Sequence, residues 1–553
     1  MFRTAELGRK VSRTEFEQLT EPLRTELLEL QQRLLGADFP VIVLFAGVDG
    51  AGKSESINLI NEWMDPRWIV TRAYGPASDE ERERPEFWRY WRDLPPCGRV
   101  GLFLSSWYSR PFRDRAVGHA DEAAFDKALE RVAAFERTLA DDGALILKFW
   151  MHLGKEAQRQ RFKALEKDPL QSWRVTPADW ENWGRYDAFI AAAERLLQRT
   201  SVGYAPWQIV EGQDHRYRSL TILTTLRDAI RRHLEERAVR RVVGHAVALA
   251  EEEAAPADPR NPSPMDTDAP GHAPLMAASG EVDRLLSEVR RGLPSILDRL
   301  PTDLVLDKET YAVRLAHEQG RLNLLMREAR TRQVSTVLVF EGWDAAGKGG
   351  AIRRLTQALD ARDYQVIPVA APSDEEKAHH YLWRFWRHLS RAGRVLIFDR
   401  SWYGRVLVER VEGFAQPREW RRAYAEIRDF EEQLVEHGIV LAKFWMHITR
   451  DEQLSRFKAR ETIPYKRWKL TSEDWRNREK WDQYEDAIND MIERTSTSRL
   501  PWTLVEAGDK HHARVKVLTT VCEALEARLG VHINNEPPRK THADKEKSKK
   551  KEG

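Results

Sequence analysis

The sequence predicts an α/β chain of two tandem domains, each a parallel β-sheet sandwiched between α-helices. Three observations carry this: a gapless internal repeat, apolar runs of strand length alternating with helical patterns, and a glycine-rich turn after an apolar strand in each repeat. At 553 residues the chain exceeds what a single core serves, so two domains of ordinary size are expected.

The repeat comes first because it sets the domain boundaries. AGVDGAGKS around Lys53 matches EGWDAAGKG around Lys348, an offset of 348 − 53 = 295 positions. At that offset Trp107-Tyr108 falls on Trp402-Tyr403, Lys148 to His152 on Lys443 to His447, Trp173 on Trp468, and Pro206-Trp207 on Pro501-Trp502. A register held this far marks duplication of a whole domain. It predicts an N-terminal domain over 1–245, a flexible linker over 246–285, a C-terminal domain over 286–530 and a disordered basic tail over 531–553. Between about Glu251 and Gly280 the chain is rich in Pro, Ala and Asp with no apolar period, and its end carries KEKSKKKEG, which reads as a solubilising segment.

Within the second copy, Arg321 to Arg332 reads as a helix. Thr336–Phe340, Gln365–Val369, Arg394–Phe398, Ile439–Phe444 and Thr503–Glu506 read as strands. These runs are mostly apolar instead of alternating, the mark of a parallel sheet buried on both faces.

Composition narrows the function classes. The 89 Lys and Arg nearly balance 87 Asp and Glu, so net charge gives no reason to expect a nucleic-acid partner, and any polyanion site must be a local cluster. Cys97 and Cys522 sit in separate domains without metal-ligand spacing, which argues against a disulfide framework or a structural zinc and fits a cytoplasmic protein. No apolar run reaches membrane-spanning length, and no membrane partner is expected.

Gly47 to Ser54 fits GxxxxGK[ST], follows the strand Val41–Phe45 and leads into the apolar pattern of Ile57, Leu59 and Ile60. This is the strand, loop and helix of a P-loop, whose backbone N–H groups and helix N-terminus cradle phosphate. The second loop runs Gly342, Trp343, Asp344, Ala345, Ala346, Gly347, Lys348, Gly349, with glycine where a hydroxyl residue usually helps to hold Mg²⁺. Another ligand must replace it. Asp344 in the loop and Asp399, which ends the strand RVLIFD in the Walker B position, are the candidate metal ligands.

The first copy has Leu104 and Ser105 where the second has Asp399 and Arg400. Arg460, Lys466 and Arg467 likewise face Leu165, Gln171 and Ser172, whereas Arg456 and Arg161 are shared. The second copy therefore carries the working site. Its stretch Arg450 to Lys469 interleaves cations with Phe457, Tyr465 and Trp468. Half of those charges read as a solvated helix face and half as a site for a phosphate chain.

GWDAAGKGG from Gly342, DRSWY from Asp399 and PYKRWK from Pro464 to Lys469 together resemble the polyphosphate kinase 2 family, and the resemblance spans about Thr14–Asp228 and Glu309–Glu523. The resemblance implies P-loop kinase-like domains with a helical lid, and Mg²⁺ as cofactor with Mn²⁺ as a substitute. A fused two-copy chain is similar to the branch that phosphorylates AMP to ADP from inorganic polyphosphate with its C-terminal copy. It implies catalytic roles for Asp344, Lys348, Asp399 and Arg400. Phosphate or nucleotide contacts are implied at Gly342, Ala345, Ala346, Gly347, Gly349, Arg405, Arg456, Lys466, Trp468 and Lys469. A polyphosphate-dependent kinase of nucleoside diphosphates, an ATP-dependent small-molecule kinase and a non-catalytic polyanion binder stay open, as does a homo-oligomer.

Overall fold

The structure is a computed structural model and describes residues 1–253, 295–462 and 472–533. The expected linker from 254 onward, the tail from 534 and lid residues 463–471 lie outside the described residues. Two compact units follow the two copies, apart from residues 79–86 and 372–383.

In the first unit β1 (Val41–Gly47), β2 (Ile69–Ala73), β3 (Val100–Leu104), β4 (Leu145–His152) and β5 (Trp207–Glu211) form one parallel sheet in the order β2-β3-β1-β4-β5. In the second, β6 (Thr336–Gly342), β7 (Tyr364–Pro368), β8 (Val395–Asp399), β9 (Val440–His447) and β10 (Trp502–Glu506) repeat it as β7-β8-β6-β9-β10. The register repeats too: Val41 faces Val100 as Thr336 faces Val395. All five expected strands of the second copy are present, four with ends within two residues and β9 running three residues further than expected. They were readable because helices cover both faces and leave little polar alternation. Pro368 ends the edge strand β7, where a missing N–H costs no ladder bond.

Two expectations change. The helix expected from Arg321 starts at Lys308, capped by the Asp307 carboxylate, which accepts from the Thr310 amide at 2.9 Å. Its register on the helix Lys510–Leu529 is held by Arg321, 2.7 Å from Glu526. The first residues assigned to the linker, 246–253, instead complete the helix His215–Glu253. Their Ala, Leu and Glu content favours helix.

Each sheet rests on a buried ion pair. Lys443 of β9 is 2.8 Å from Glu431 of the helix Pro417–Glu436, and its ammonium also donates to Tyr403 Oη at 3.1 Å and to the Thr495 carbonyl at 2.9 Å. Glu431 in turn accepts from Trp402 Nε1 at 3.1 Å and Tyr403 Oη at 2.6 Å. Lys148, Glu136, Tyr108, Trp107 and Thr200 repeat the arrangement in the first copy. The repeated Trp-Tyr, Lys-Phe-Trp-Met-His and Pro-Trp motifs therefore serve the core. Trp502 adds a bond from Nε1 to Thr495 Oγ1 at 2.8 Å.

With both side chains at 1% exposure, truncating one partner strands a charge in the core. Glu431→Ala is expected to lower the stability of the second unit by about 3–5 kcal/mol. Urea unfolding read by amide exchange of β9 checks this, and an unchanged midpoint would contradict it.

Candidate active site

β6 ends in Gly342, where the loop turns under β9. Gly342 has φ +149° and a Cβ there would meet the Met446 carbonyl, so the close approach requires glycine. Gly347, at φ +109°, opens the helix Lys348–Thr356. Lys348 reaches back across the loop, its ammonium donating to the Gly342 carbonyl at 2.5 Å and to that of Trp343 at 3.4 Å. Loop amides, helix N-terminus and lysine thus converge where a phosphate would sit.

Asp344 is held on two sides: Asn477 Nδ2 donates to Oδ2 at 3.0 Å, and Arg400 Nη2 lies 3.3 Å from Oδ1. Asp399, at the end of β8, lines the same cleft. Arg400 is in the left-handed region at φ +64°. Burial alone would lower its pKa, but Asp344, Glu341 and their neighbours reverse this and hold the guanidinium firmly charged. Glu341, buried directly before the loop, was not foreseen; burial pushes its carboxyl above the ordinary range, and it accepts from Ser401 Oγ at 2.7 Å. The first copy has Ala46 in its place, a contrast that could have flagged it.

Among the described residues no group of three His, Cys, Asp or Glu could hold a metal alone. The pair Asp344 and Asp399 suits Mg²⁺, a hard cation that keeps waters and shares substrate phosphate oxygens.

The cleft has a volume of about 700 Å³ and is lined by Lys348, Arg353, Arg354, Arg400, Arg460, Lys510 and Arg514, facing Asp344, Asp399 and Asp474. Arg353, Arg354, Lys510 and Arg514 went unnoticed in the sequence because they stand on two helices far apart in the chain. Their counterparts Asn58, Leu59, His215 and Ser219 carry the signal, each a cation lost or reduced in the first copy.

Gly342 ends β6, Ala345, Ala346 and Gly347 sit in the loop, and Gly349 lies in the first turn of the helix Lys348–Thr356; all but Gly342 line the cleft. Two residues expected at phosphate or nucleotide have partners within the protein. Arg456 is buried and spends its donors on protein: Nε on Glu452 at 2.5 Å, Nη1 on the carbonyls of Ala345 and Ala346, Nη2 on those of Ala507 and Gly508 at 2.7 and 2.9 Å. It lines the cleft, and all five of its N–H groups are used on protein acceptors, so in this structure it ties the P-loop in place. Arg405 lies 3.2 Å from Glu409 and 3.9 Å from Glu419 and is not among the cleft residues; the short 3₁₀ turn Trp402–Val406 places it beside these acids. Lys466, Trp468 and Lys469 lie outside the described residues.

The model of the family described as "Polyphosphate kinase 2 (PPK2)" matches residues 10–238 and 305–531, covering both copies. The chain belongs to the polyphosphate kinase 2 family. It is 51% identical over 528 residues to the polyphosphate:AMP phosphotransferase of Pseudomonas aeruginosa, covering 95% of this chain and 99% of that one. An NDP-polyphosphate phosphotransferase of Ruegeria pomeroyi is 34% identical but matches 45% of this chain, with 87% of its own length covered. A crystal structure of a Pseudomonas aeruginosa polyphosphate kinase 2 aligns with a TM-score of 0.79 at 47% identity, over 96% of this chain and 99% of that one.

The two polyphosphate kinase 2 modules share scaffolding and differ in chemistry. In the first, Asp49 keeps its asparagine, with Asn182 Nδ2 at 3.1 Å, but its other oxygen faces the P-loop Lys53 at 3.3 Å. No Walker B carboxylate or following arginine stands opposite.

Because Arg456 ties two loop carbonyls to the turn after β10, Arg456→Ala is expected to lower turnover by at least about tenfold, one decade being about 1.4 kcal/mol. Lysine, lacking the planar fork, should not rescue it. Steady-state kinetics of both variants check this, and full activity of Arg456→Lys would contradict it.

Proposed function

We propose that the second copy transfers the terminal phosphate of inorganic polyphosphate to AMP, giving ADP, with Mg²⁺ as cofactor and Mn²⁺ able to replace it. The observation that carries this reading is the cation-rich cleft around Lys348, Asp344 and Asp399. Arg353, Arg354, Lys510 and Arg514 add positive charge beyond the P-loop, more than the one phosphate in transfer calls for and suited to a donor with several charges. An ATP-dependent kinase of a small molecule would not need it.

The reaction forms a bond from an AMP phosphate oxygen to the terminal phosphorus and breaks the anhydride to the next phosphate, which leaves as a shortened chain. The attacking oxygen is already anionic, so no general base is required, and catalysis rests on positioning and charge neutralisation. Lys348 and the loop amides hold the phosphate in transfer. Arg400 adds charge beside Asp344. Mg²⁺, when bound, would supply positive charge against the negative charge of the phosphates. Asp344 and Asp399 are the residues that would hold it.

AMP is preferred to a nucleoside diphosphate as acceptor because the relative matching both copies is named an AMP phosphotransferase, while the relative named for NDP matches less than half of the chain. No helix among the described residues is long and apolar enough to cross a membrane, and we place the enzyme in the cytoplasm.

ADP formation from AMP, polyphosphate and Mg²⁺ tests the assignment. Lys348→Ala and Asp399→Asn should each lose more than about tenfold in turnover, whereas Lys53→Ala should remain within about twofold of the parent, well under one such decade. Silencing by Lys53→Ala in a folded chain would move the chemistry to the first copy, and GDP or ADP outpacing AMP as acceptor would overturn the substrate.

A further inference from the structure

The first copy retains more of a polyanion site than its sequence suggests. Arg161, Arg174 and Arg218 converge at its P-loop, from the helix Lys155–Lys167, the short turn Ser172–Arg174 and the helix that begins at His215. What they meet there is a carboxylate. Glu55 stands in the first turn of the helix Lys53–Trp63; its Oε1 accepts from Arg161 Nη2 at 3.0 Å and Arg174 Nη2 at 2.7 Å, and its Oε2 from Arg218 Nη2 at 2.5 Å.

The position is the telling one. At the offset of 295 Glu55 corresponds to Gly350, which has no side chain and lines the second copy's cleft. Arg218 also lies against the loop itself: its Nη1 donates to the carbonyls of Ala51 and Gly212 at 3.4 and 3.2 Å, and its guanidinium leaves no room for a Cβ at Gly52. These carbonyls correspond to those of Ala346 and Ala507, which Arg456 serves in the second copy. Arg218 has taken over the loop-positioning work from a different helix, and Arg161 is released to Glu55.

We propose that Glu55 is a built-in substitute for a phosphate group, which keeps the first copy's three-arginine cradle filled and closes that copy to oligophosphates. A carboxylate suits the place: it satisfies three charge-assisted bonds and sits at the positive end of a helix. Burial would raise its pKa, but Arg174, Arg218 and Arg161 outweigh burial and hold Glu55 ionised. The first copy is therefore an oligophosphate site masked by one side chain, separate from its missing Asp and Arg of the Walker B turn.

Hydrogen–deuterium exchange of the full chain with tripolyphosphate as probe reads each copy separately. In the parent, peptides over 47–63 and 168–176 should not respond to tripolyphosphate. In Glu55→Gln, which loses the charge and keeps the shape, the same peptides should exchange faster without the anion. They should slow by about tenfold with it at ten times its Kd. Glu55→Gly, which copies the second copy's residue, should behave alike and serves if the glutamine variant is poorly folded. Protection of 47–63 in the parent would overturn the proposal, as would two folded variants that do not respond. Peptides over 342–356 report the second copy in the same samples, so a failure of the second-copy assignment shows there and not in the first.

Discussion

The buried ion pair between Lys443 and Glu431 is the constraint on which the second copy's site depends. It joins the centre of β9 to the helix Pro417–Glu436 and, through Tyr403 and Trp402, to the turn that leaves β8. Asp399 and Arg400 immediately precede that turn. A buried pair contributes little net stability compared with an apolar substitute, because desolvation offsets most of the attraction. What it supplies here is a fixed address: hydrogen-bonding geometry admits few placements of Tyr403 and Trp402, and so few placements of the carboxylate and cation before them.

The first copy shows that this scaffold and the chemistry are separable. Lys148, Glu136, Tyr108 and Trp107 keep the same bonds, yet Leu104, Ser105 and Ala46 stand where the second copy has Asp399, Arg400 and Glu341. The charges that hold the fold are all kept, as are Lys53 and Asp49 of the loop, while the carboxylate and cation after β3 and the acid before the loop are lost. Arg218 and Arg456 illustrate the point from the other side. Two unrelated positions supply a guanidinium to equivalent loop carbonyls, so the loop's need for a donor is met in both copies while the surrounding cations diverge.

Much of this was legible in the sequence, for physical reasons. Strands buried on both faces read as continuous apolar runs, and the ends of β6 to β10 fall within three residues of the expected ones. The P-loop is recognisable because glycine, lysine and a following helix are each required by phosphate geometry. Asp344 and Asp399 are the candidates that Gly349 points to, since it removes the usual hydroxyl ligand, and both line one cleft. Other features were hidden because they depend on what a side chain finds after folding. Arg456 looks like a phosphate ligand in a basic stretch, and only the fold reveals that backbone carbonyls claim its donors. Arg353, Arg354, Lys510 and Arg514 meet only when the helices Lys348–Thr356 and Lys510–Leu529 pack together. Glu55 carries no motif at all, and its meaning lies in three arginines drawn from distant segments.

The central claim, one metal and phosphate site per chain built on Asp344 and Asp399, is tested most directly by Mn²⁺ titration of the full chain with tripolyphosphate, followed by electron paramagnetic resonance. The account predicts one bound Mn²⁺ per chain, lost in Asp399→Asn and retained in Asp49→Asn. Two bound ions, or one that survives Asp399→Asn and disappears with Asp49→Asn, would contradict it.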